Sequence, residues 1–424
     1  MRAYTEAWEI ISADAFTEGR KLEDKNLYPA VKERILQSME HTRELSDEEL
    51  SLRIDEELQK RDKTSLLSFP ARRECAKRLF ASFRKFGVLQ ELIEDEEVTE
   101  ILVNGPRRIF YEKKGTLHLF HGTFSSDEEL SDLIQTICAG GGRMVNEASP
   151  IVDTRLLDGS RVNIVLHPIS LDGSCISIRK FSKEPMNMQT LLAYGSLSDE
   201  IAEYLKKLVI AGYNIFVSGG TGSGKTTFLN ALSEFIPKDE RVVTIEDSAE
   251  LQLNGIANLV RLETRTAGFE GVAPIGIRDL IKTALRMRPS RLIVGECRGA
   301  EAIDLLSANN TGHSGSLGTG HANSTYDMIG RLETMVLMGM ELPLPAIRRQ
   351  IASGIDLLIH LGRLRDKSRK VLEIAELAGV EGGEIRLNVL YRFAEVREKK
   401  GQIEGKWEQT GSLIHREKWE AAGF

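Results

Sequence analysis

The sequence predicts an α/β protein: a parallel sheet with helices on both faces, preceded by a smaller α+β domain and a charged helical extension. Three observations lead to this class. In the C-terminal half, apolar segments of strand length alternate with segments of helix length, as in parallel sheets with crossover helices. Before it, short alternating runs are separated by turn sequences. The N-terminal segment is highly charged, with apolar residues at helical spacing. We therefore divide the chain into 1–65, 66–185 and 186–424.

The composition limits the classes of protein that this chain can be. Of 424 residues, 41% are hydrophobic and 28% charged, which is the balance of an ordinary soluble protein of two or three domains. We find no secretory signal and no apolar stretch near the ~18–20 residues of a membrane span, so we expect a cytoplasmic protein. A net charge of −7 argues against a nucleic-acid coat, and no direct nucleic-acid binding is expected.

The extension carries one amphipathic pattern. Ser46 followed by Glu49 is typical of a helix start. We interpret the segment as a solvated amphipathic helix, and the alternative is an adaptor that docks on a partner. The apolar residues of this face are Leu45, Leu50, Ile54 and Leu58.

The middle part reads as a small α+β domain. We predict a helix over 72–92, a flexible break at Gly140–Gly142 and a linker over 181–187. The turn sequences Asn104-Gly105-Pro106 and Asp158-Gly159 separate strands. The predicted strands are 100–103, 108–112, 161–165 and 174–180.

The C-terminal part follows a strand–helix alternation after a helix that starts near Ser198. Towards the end, two apolar runs, 371–380 and 385–393, flank Glu381-Gly382-Gly383 and predict a hairpin. The predicted strands are 214–218, 241–245 and 291–295, and the predicted helices are 225–235, 277–287 and 300–309.

A complete phosphate-binding loop follows the first of these strands and precedes a helix. Glycines let the backbone wrap a phosphate with its N–H groups pointing inward, and the helix adds its positive end. Lys225 should bridge the β- and γ-phosphates, and the Thr226 hydroxyl should bind Mg²⁺. The loop consists of Gly219, Gly220, Thr221, Gly222, Ser223, Gly224, Lys225 and Thr226.

Two sets of acids follow apolar strands. Glu296 ends the segment Arg291-Leu292-Ile293-Val294-Gly295, where a carboxylate can orient or deprotonate a water that attacks the γ-phosphate. The second set can hold a metal ion or its waters, and the spacing leaves open which member does so. It consists of Glu246, Asp247 and Glu250.

A glycine-rich segment holds two of the eight histidines, His313 and His321. Such a loop suits close approach or movement. His321 can sense the γ-phosphate by hydrogen bonding. A zinc site is the rival interpretation, but no third ligand lies nearby, and no two of the four cysteines have zinc-knuckle spacing.

With these residues laid out, the chain resembles the type II/type IV secretion traffic ATPases, and most of all the CpaF/TadA branch that serves tight-adherence pili. The resemblance covers roughly 98–393. It is carried by GGTGSGKTT (219–227), VVTIEDSAEL (242–251), LRMRPSRLIVGECRG (285–299), NTGHSGSLGTGHANS (310–324), SPIVDTRLLDGSRVN (149–163) and SCISIRKF (174–181).

This resemblance implies a homo-hexameric ring of subunits, each with a PAS-like N-terminal domain and a RecA-like P-loop ATPase domain. ATP with Mg²⁺ would lie between the domains, and Thr227 would join the nucleotide-binding loop. Arg161 and Arg179 become candidates to reach phosphates, with Arg278 a weaker one; the alternative for each is a surface or ion-pair arginine.

The family further implies an ATP-driven motor that acts on an inner-membrane platform protein, with peripheral membrane association through partners. The absence of a Cys-x-x-Cys zinc loop favours the CpaF/TadA or conjugation-type branch. Two alternatives stay open: a conjugation or type IV secretion ATPase that moves DNA or effectors, and a nucleotide-gated scaffold with little turnover.

Overall fold

The computed structural model describes residues 31, 34–35, 47–62, 72–73, 75–76, 79–80, 86–181, 186–265, 273–399 and 401–424. The chain divides into two compact units, Met1–Ser182 and Lys183–Phe424. Among the described residues, no helix combines the length and apolar character that a membrane span needs.

The apolar face of the extension is packed. Helix α1, Asp47–Asp62, buries Leu50, Ile54 and Leu58. These side chains form a small cluster with Val31, Ile35, Cys75 and Leu79. The helix is confirmed, but the interpretation of a purely solvated helix is wrong, because other residues of the chain cover this face. The predicted start at Leu45 and Ser46 lies outside the described residues.

From Phe86 to Phe181, the first unit is described throughout and consists of one antiparallel sheet with helices. The strands lie in the order β3-β2-β1-β6-β5-β4. In chain order the elements are α2 (Gln90–Glu94), β1 (Val98–Asn104), β2 (Ile109–Lys113), β3 (Thr116–Phe120), α3 (Asp127–Gly140), β4 (Ile151–Arg155), β5 (Arg161–Val165) and β6 (Cys175–Arg179). The four predicted strands are confirmed as β1, β2, β5 and β6.

One predicted helix of this unit is wrong as a continuous element. The segment predicted as helix over 72–92 is interrupted at Phe86, whose backbone is not helical, and at Gly87, where φ is +56°. A short 3₁₀ turn, Gly87–Leu89, and α2 follow. The glycines at 140–142 lie at the end of α3: Gly141 caps the helix and Gly142 has φ +64°.

The second unit is built around a nine-stranded sheet with strand order β15-β14-β13-β12-β7-β11-β10-β8-β9. Its elements are α4 (Met188–Ala193), α5 (Asp199–Ile210), β7 (Ile215–Gly219), α6 (Lys225–Ser233), β8 (Arg241–Glu246), β9 (Asn258–Glu263), α7 (Ile277–Ala284), β10 (Arg291–Cys297), α8 (Glu301–Asn310), β11 (Leu317–Gly320), α9 (Thr325–Gly339), α10 (Leu344–Gly354), β12 (Leu357–Arg363), β13 (Arg369–Glu381), β14 (Glu384–Lys399), β15 (Gln402–Gln409) and α11 (Glu417–Ala421).

The sheet confirms the predicted class. Six strands from β12 to β9 pair in parallel, and β12 to β15 continue as antiparallel neighbours, including the predicted hairpin around Gly382. Helices α4 to α6 pack on one face and α7 to α10 on the other. Along β7, Val217 belongs to the first core and Phe216 to the second, so this strand is buried on both sides. The carboxyl ends of β7, β11 and β10 therefore meet at one edge of the sheet.

Candidate active site

The loop after β7 can close only with glycine at its first position. A Cβ at Gly219 would lie 2.6 Å from the carbonyl oxygen of Leu361 and 2.5 Å from Oγ of Ser223. Gly222 and Gly224 have φ of +72° and +92°, which residues with a Cβ rarely adopt. The backbone thus forms a tight turn that leads directly into α6.

The N-terminus of α6 has no side-chain cap. Gly224 supplies no side chain that could accept from the first-turn N–H groups. These groups and the helix dipole are therefore available to an anion. Thr226 and Thr227 stand in this first turn, beside Lys225.

Lys225 is folded back onto the loop. It is buried, and Nζ donates to the carbonyl oxygens of Gly219 (3.1 Å) and Gly220 (3.0 Å). Burial lowers the pKa of Lys225, and the nearby carboxylate of Glu296 opposes this shift. The ammonium group is a partly desolvated cation, which a phosphate would stabilise.

A polar chain connects this lysine to the predicted catalytic acid. Nζ of Lys225 lies 3.3 Å from Nδ1 of His321, and Nε2 of His321 lies 2.7 Å from Oε1 of Glu296. Since an ammonium group can only donate, Nδ1 accepts and Nε2 carries the proton. Burial, followed by the charge of Lys225, lowers the pKa of His321, which favours this neutral imidazole.

Glu296 has a second cationic neighbour. Nη2 of Arg298 donates to its Oε2 at 2.7 Å. Burial raises the pKa of Glu296, but the hydrogen bond from Arg298 and the charges of Arg298 and Lys225 oppose it, and the pKa is lowered overall. The carboxylate is therefore ionised and can accept a proton or orient a water.

The acidic segment that begins at the end of β8, residues 246–250, packs against β10. A Cβ at Gly295 would lie 2.8 Å from Cγ of Glu246, which explains the glycine before Glu296. Oε2 of Glu246 accepts from the backbone N–H groups of Glu250 (2.7 Å) and Leu251 (2.9 Å). Burial raises the pKa of Glu246, while these bonds oppose the shift. This carboxylate holds the turn that carries Asp247 and Glu250.

The oxygen donors suit a metal ion that arrives with its phosphates. No group of three His, Cys, Asp or Glu side chains is placed to hold a metal in the part of the chain that the structure describes. Mg²⁺ usually takes one or two protein oxygens and completes its shell with phosphates and waters. Oε1 of Glu246 is buried without a hydrogen-bond partner among described residues, and so is available for such a shell.

The arginines from the first unit stand in one row. Arg161 on β5 lies directly opposite Arg179 on β6 and Arg155 on β4. Nε of Arg179 is 3.9 Å from Oε1 of Glu100. They belong to the first unit, whereas the phosphate loop belongs to the second.

The other two candidates lie in the second unit and have neighbours there. Nε of Arg278 donates to Asp304 at 2.6 Å, so this arginine is engaged in an ion pair. Nδ1 of His313 lies 3.3 Å from the carbonyl oxygen of Ala308, at the end of α8. His321, in contrast, is part of the chain that reaches Glu296.

Three residues of the site escaped the sequence analysis. Arg298 follows Glu296 by two positions, and this short separation is the sequence feature that could have identified it. His360 is buried on β12, with Nδ1 3.0 Å from Oγ of Ser218. Nε of Arg369 on β13 donates to the carbonyl oxygen of Gly222 at 2.8 Å. The last two contacts depend on the strand order β13-β12-β7, which no local pattern indicates.

Comparison with known proteins gives consistent results. The model of the family "Type II/IV secretion system protein" matches residues 83–405. A Mycobacterium tuberculosis protein named "Putative conjugal transfer protein" is 35% identical over 302 residues, which cover 70% of this chain and 85% of that protein. The type IV secretion system protein PtlH of Bordetella pertussis is 31% identical over 312 residues, 68% of this chain and 92% of PtlH. The solved structure of the Legionella pneumophila ATPase DotB has a TM-score of 0.50 and 25% identity, and the match covers 68% of this chain and 79% of DotB.

Proposed function

The chain belongs to the type II/IV secretion system protein family and is a nucleotide-binding, ATP-hydrolysing enzyme, and from this premise we propose that it is a ring-forming motor for export across a bacterial envelope. The specific form that we propose is a homo-hexameric ATPase that powers assembly of a Tad-type pilus. The main support for the ATPase site is the series of polar contacts from Lys225 through His321 to Glu296, next to a complete phosphate loop.

ATP binding would replace the contacts that now occupy Lys225. The backbone N–H groups of residues 219–227 and the N-terminus of α6 would enclose the β-phosphate. Nζ of Lys225 would leave the carbonyl oxygens of Gly219 and Gly220 and bind the β- and γ-phosphates. His321 would then lose its donor at Nδ1 and contact the γ-phosphate instead.

Hydrolysis would depend on Glu296. Its ionised carboxylate would orient the attacking water and take up a proton. We propose that Thr226 holds Mg²⁺, together with one or more of Glu246, Asp247 and Glu250. When bound, this ion would neutralise charge that develops on the phosphate oxygens.

Arginines of the first unit would neutralise the remaining negative charge on the phosphates. We propose that Arg161 and Arg179 reach the phosphates across domains or subunits of a hexamer, since a fixed guanidinium stabilises charge on a transferring phosphoryl group. Closure around ATP and release after hydrolysis would move the two units, and the ring would transmit this motion to an inner-membrane platform protein. The motor would thus be cytoplasmic and associate with the membrane only through partners.

Two substitutions test the site. Lys225→Ala should abolish ATP binding, whereas Glu296→Gln should still bind ATP but hydrolyse it about 10²- to 10⁴-fold more slowly, because the water loses its base. Phosphate release and nucleotide binding by the purified protein measure both effects. Glu408→Gln, on the outer strand β15, is the matched control and should behave as wild type. Full hydrolysis by either site variant would refute the assignment.

The names of the relatives support a second cargo. One is named for conjugal transfer and another for type IV secretion, so this motor could instead move DNA or effector proteins. A deletion strain decides between the two. Loss of pili with normal DNA and effector transfer would support the Tad-type role, and the reverse result would support the secretion role.

A further inference from the structure

Two arginines stand beside the phosphate loop on the hairpin formed by β12 and β13. Arg363 and Arg369 lie directly opposite each other in this pair of strands. Leu361 and Val371, two positions away on each strand, pack in the core under α6. Because side chains two apart share a face of a sheet, both arginines lie on the face of α6, whose first turn follows the phosphate loop.

Arg369 already contacts this loop. Its Nε donates to the carbonyl oxygen of Gly222 at 2.8 Å, and its Cδ would lie 3.4 Å from a Cβ at Gly224. The carbonyl bond occupies one of the five N–H donors of the guanidinium group. Among the described residues, the four Nη–H donors of Arg369 have no hydrogen-bond partner.

Neither arginine is neutralised within the described parts of the chain. The side chain of Arg363 makes no hydrogen bond or ion pair there, and no carboxylate lies within ion-pair distance of Arg369. Arg365, between them in sequence, shows the usual arrangement: it pairs with Glu395 (2.5 Å) and Glu398 (3.2 Å). Like charges placed directly opposite in a sheet are unfavourable, so the pair 363/369 favours an anion nearby.

The strand order indicates which part of a nucleotide this anion is. Glu296 lies near the end of β10 and His321 follows β11, both on one side of β7, where the proposed site places the γ-phosphate. Arg363 and Arg369 lie on β12 and β13, on the other side of β7. A triphosphate whose terminal group faces Glu296 therefore extends its other end towards this hairpin.

We propose that Arg369, with Arg363 beside it, binds the α- and β-phosphates of the nucleotide. The inference rests on the proposed nucleotide site and adds residues to it. Because ADP keeps these two phosphates, the contact would stabilise ATP and ADP complexes equally. Its removal should raise KM without lowering kcat, and it should weaken retention of ADP after hydrolysis.

The test uses three variants of the full chain, with binding of ADP and of a non-hydrolysable ATP analogue measured by titration. Arg369→Gln keeps a neutral donor for the Gly222 carbonyl but no charge, whereas Arg369→Lys keeps the charge. We expect Arg369→Gln to lower the affinity for both nucleotides by the same factor, about tenfold or more. Arg369→Lys should recover part of this loss, and Arg363→Ala should show a smaller loss. Arg386→Gln, on the far hairpin, is the control.

Each result is decisive. Equal losses for both nucleotides in Arg369→Gln, with an unchanged melting temperature and partial recovery in Arg369→Lys, support the inference. Wild-type affinity in Arg369→Gln would show a structural role only, and a loss confined to the ATP analogue would place the arginine at the γ-phosphate; both overturn it. If Arg369→Gln does not fold, unchanged affinity in Arg363→Ala overturns it. A wild-type chain that binds neither nucleotide would overturn the proposed function as well.

Discussion

The carboxylate of Glu296 is surrounded by groups that keep it ionised. Burial raises its pKa, but the hydrogen bond from Arg298 is the largest opposing contribution, and the charges of Arg298 and Lys225 add to it. A carboxylate must be unprotonated to take a proton from water. The lowered pKa therefore extends hydrolysis to more acidic pH than an isolated buried glutamate would allow.

Arg298→Ala tests this balance. Without its strongest opposing neighbour, burial should dominate and the pKa of Glu296 should rise. Since the active form is the ionised one, the acidic limb of kcat/KM should move to higher pH, and activity should fall most below neutral pH. A pH profile of ATP hydrolysis measures this shift. Arg349→Ala on the surface of α10 should leave the profile in place, and a limb that stays fixed or moves to lower pH in Arg298→Ala contradicts the argument.

Residues of local motifs were predictable, and residues that meet through the fold were not. The phosphate loop, Glu296 and His321 stand in short stretches whose composition indicates their chemistry, although their roles remain predictions. His360 and Arg369 reach the loop because β12 pairs with β7 and β13 with β12. The contacts are long-range: Ser218 meets His360 across 142 positions, and Gly222 accepts from Arg369 across 147 positions.

At the scale of elements, a buried acid on the sheet accepts several hydrogen bonds from the C-terminal segment and its neighbours. Glu376 on β13 is 1% exposed. Its oxygens accept from the backbone N–H groups of Ile414 (2.8 Å) and His415 (2.7 Å), and from the side chain of Asn388 (2.9 Å). The segment also places Trp419 against Tyr204 of α5, with ring centroids 5.6 Å apart. The C-terminal segment thus packs against the core of the second unit through Leu413 and Trp419.

Glu376→Ala should destabilise the protein by about 3–5 kcal/mol, because three partly buried donors would lose a charged acceptor. Thermal or denaturant unfolding measures the change. Glu381→Ala on the same strand is the matched control, since that side chain is 75% exposed and should change stability by less than about 0.5 kcal/mol. Equal stability of the two variants would show that the hydrogen bonds of Glu376 do not hold the C-terminal segment in place.

Elements with clear periodicity were predicted well, and elements that depend on partners were not. The buried strands β7, β8 and β10 are continuous apolar runs ended by glycine or acid, which a sequence displays directly. The helix expected over 72–92 failed because Gly87 stands inside an otherwise helical pattern and adopts a positive φ. Strand β3 has mostly exposed side chains, so no buried face marked it in the sequence.

At the scale of the whole molecule, alternation along the chain identified the class but not the order of strands. Apolar strands followed by helices predict a parallel sheet wherever they occur, and six parallel strands are present. The order β12-β7-β11-β10-β8-β9 places three functional strand ends side by side. That order follows from packing of both sheet faces, which involves long-range contacts that a linear pattern does not contain.

The proposed motor requires an arginine of the first unit at the phosphates of the second, and Arg179 offers a test that separates activity from stability. Its side chain is 67% exposed, and its ion pair with Glu100 spans 3.9 Å. Exposed ion pairs of this kind contribute about 0–1 kcal/mol to the free energy of unfolding. The melting temperature of Arg179→Ala should therefore be close to that of the wild type. Hydrolysis should nevertheless fall steeply, by about 10³-fold for an arginine that stabilises the transition state.

A mixture of two inactive variants tests whether this arginine acts between subunits. Lys225→Ala subunits carry an intact Arg179, and Arg179→Ala subunits carry an intact phosphate loop. If the arginine reaches a neighbouring subunit, mixed rings contain some complete sites, and hydrolysis should reappear when the variants are combined. If it acts within its own chain, no mixture restores activity. Light scattering on the same samples gives the assembly mass, and a monomer that hydrolyses ATP at the full rate would contradict the ring itself.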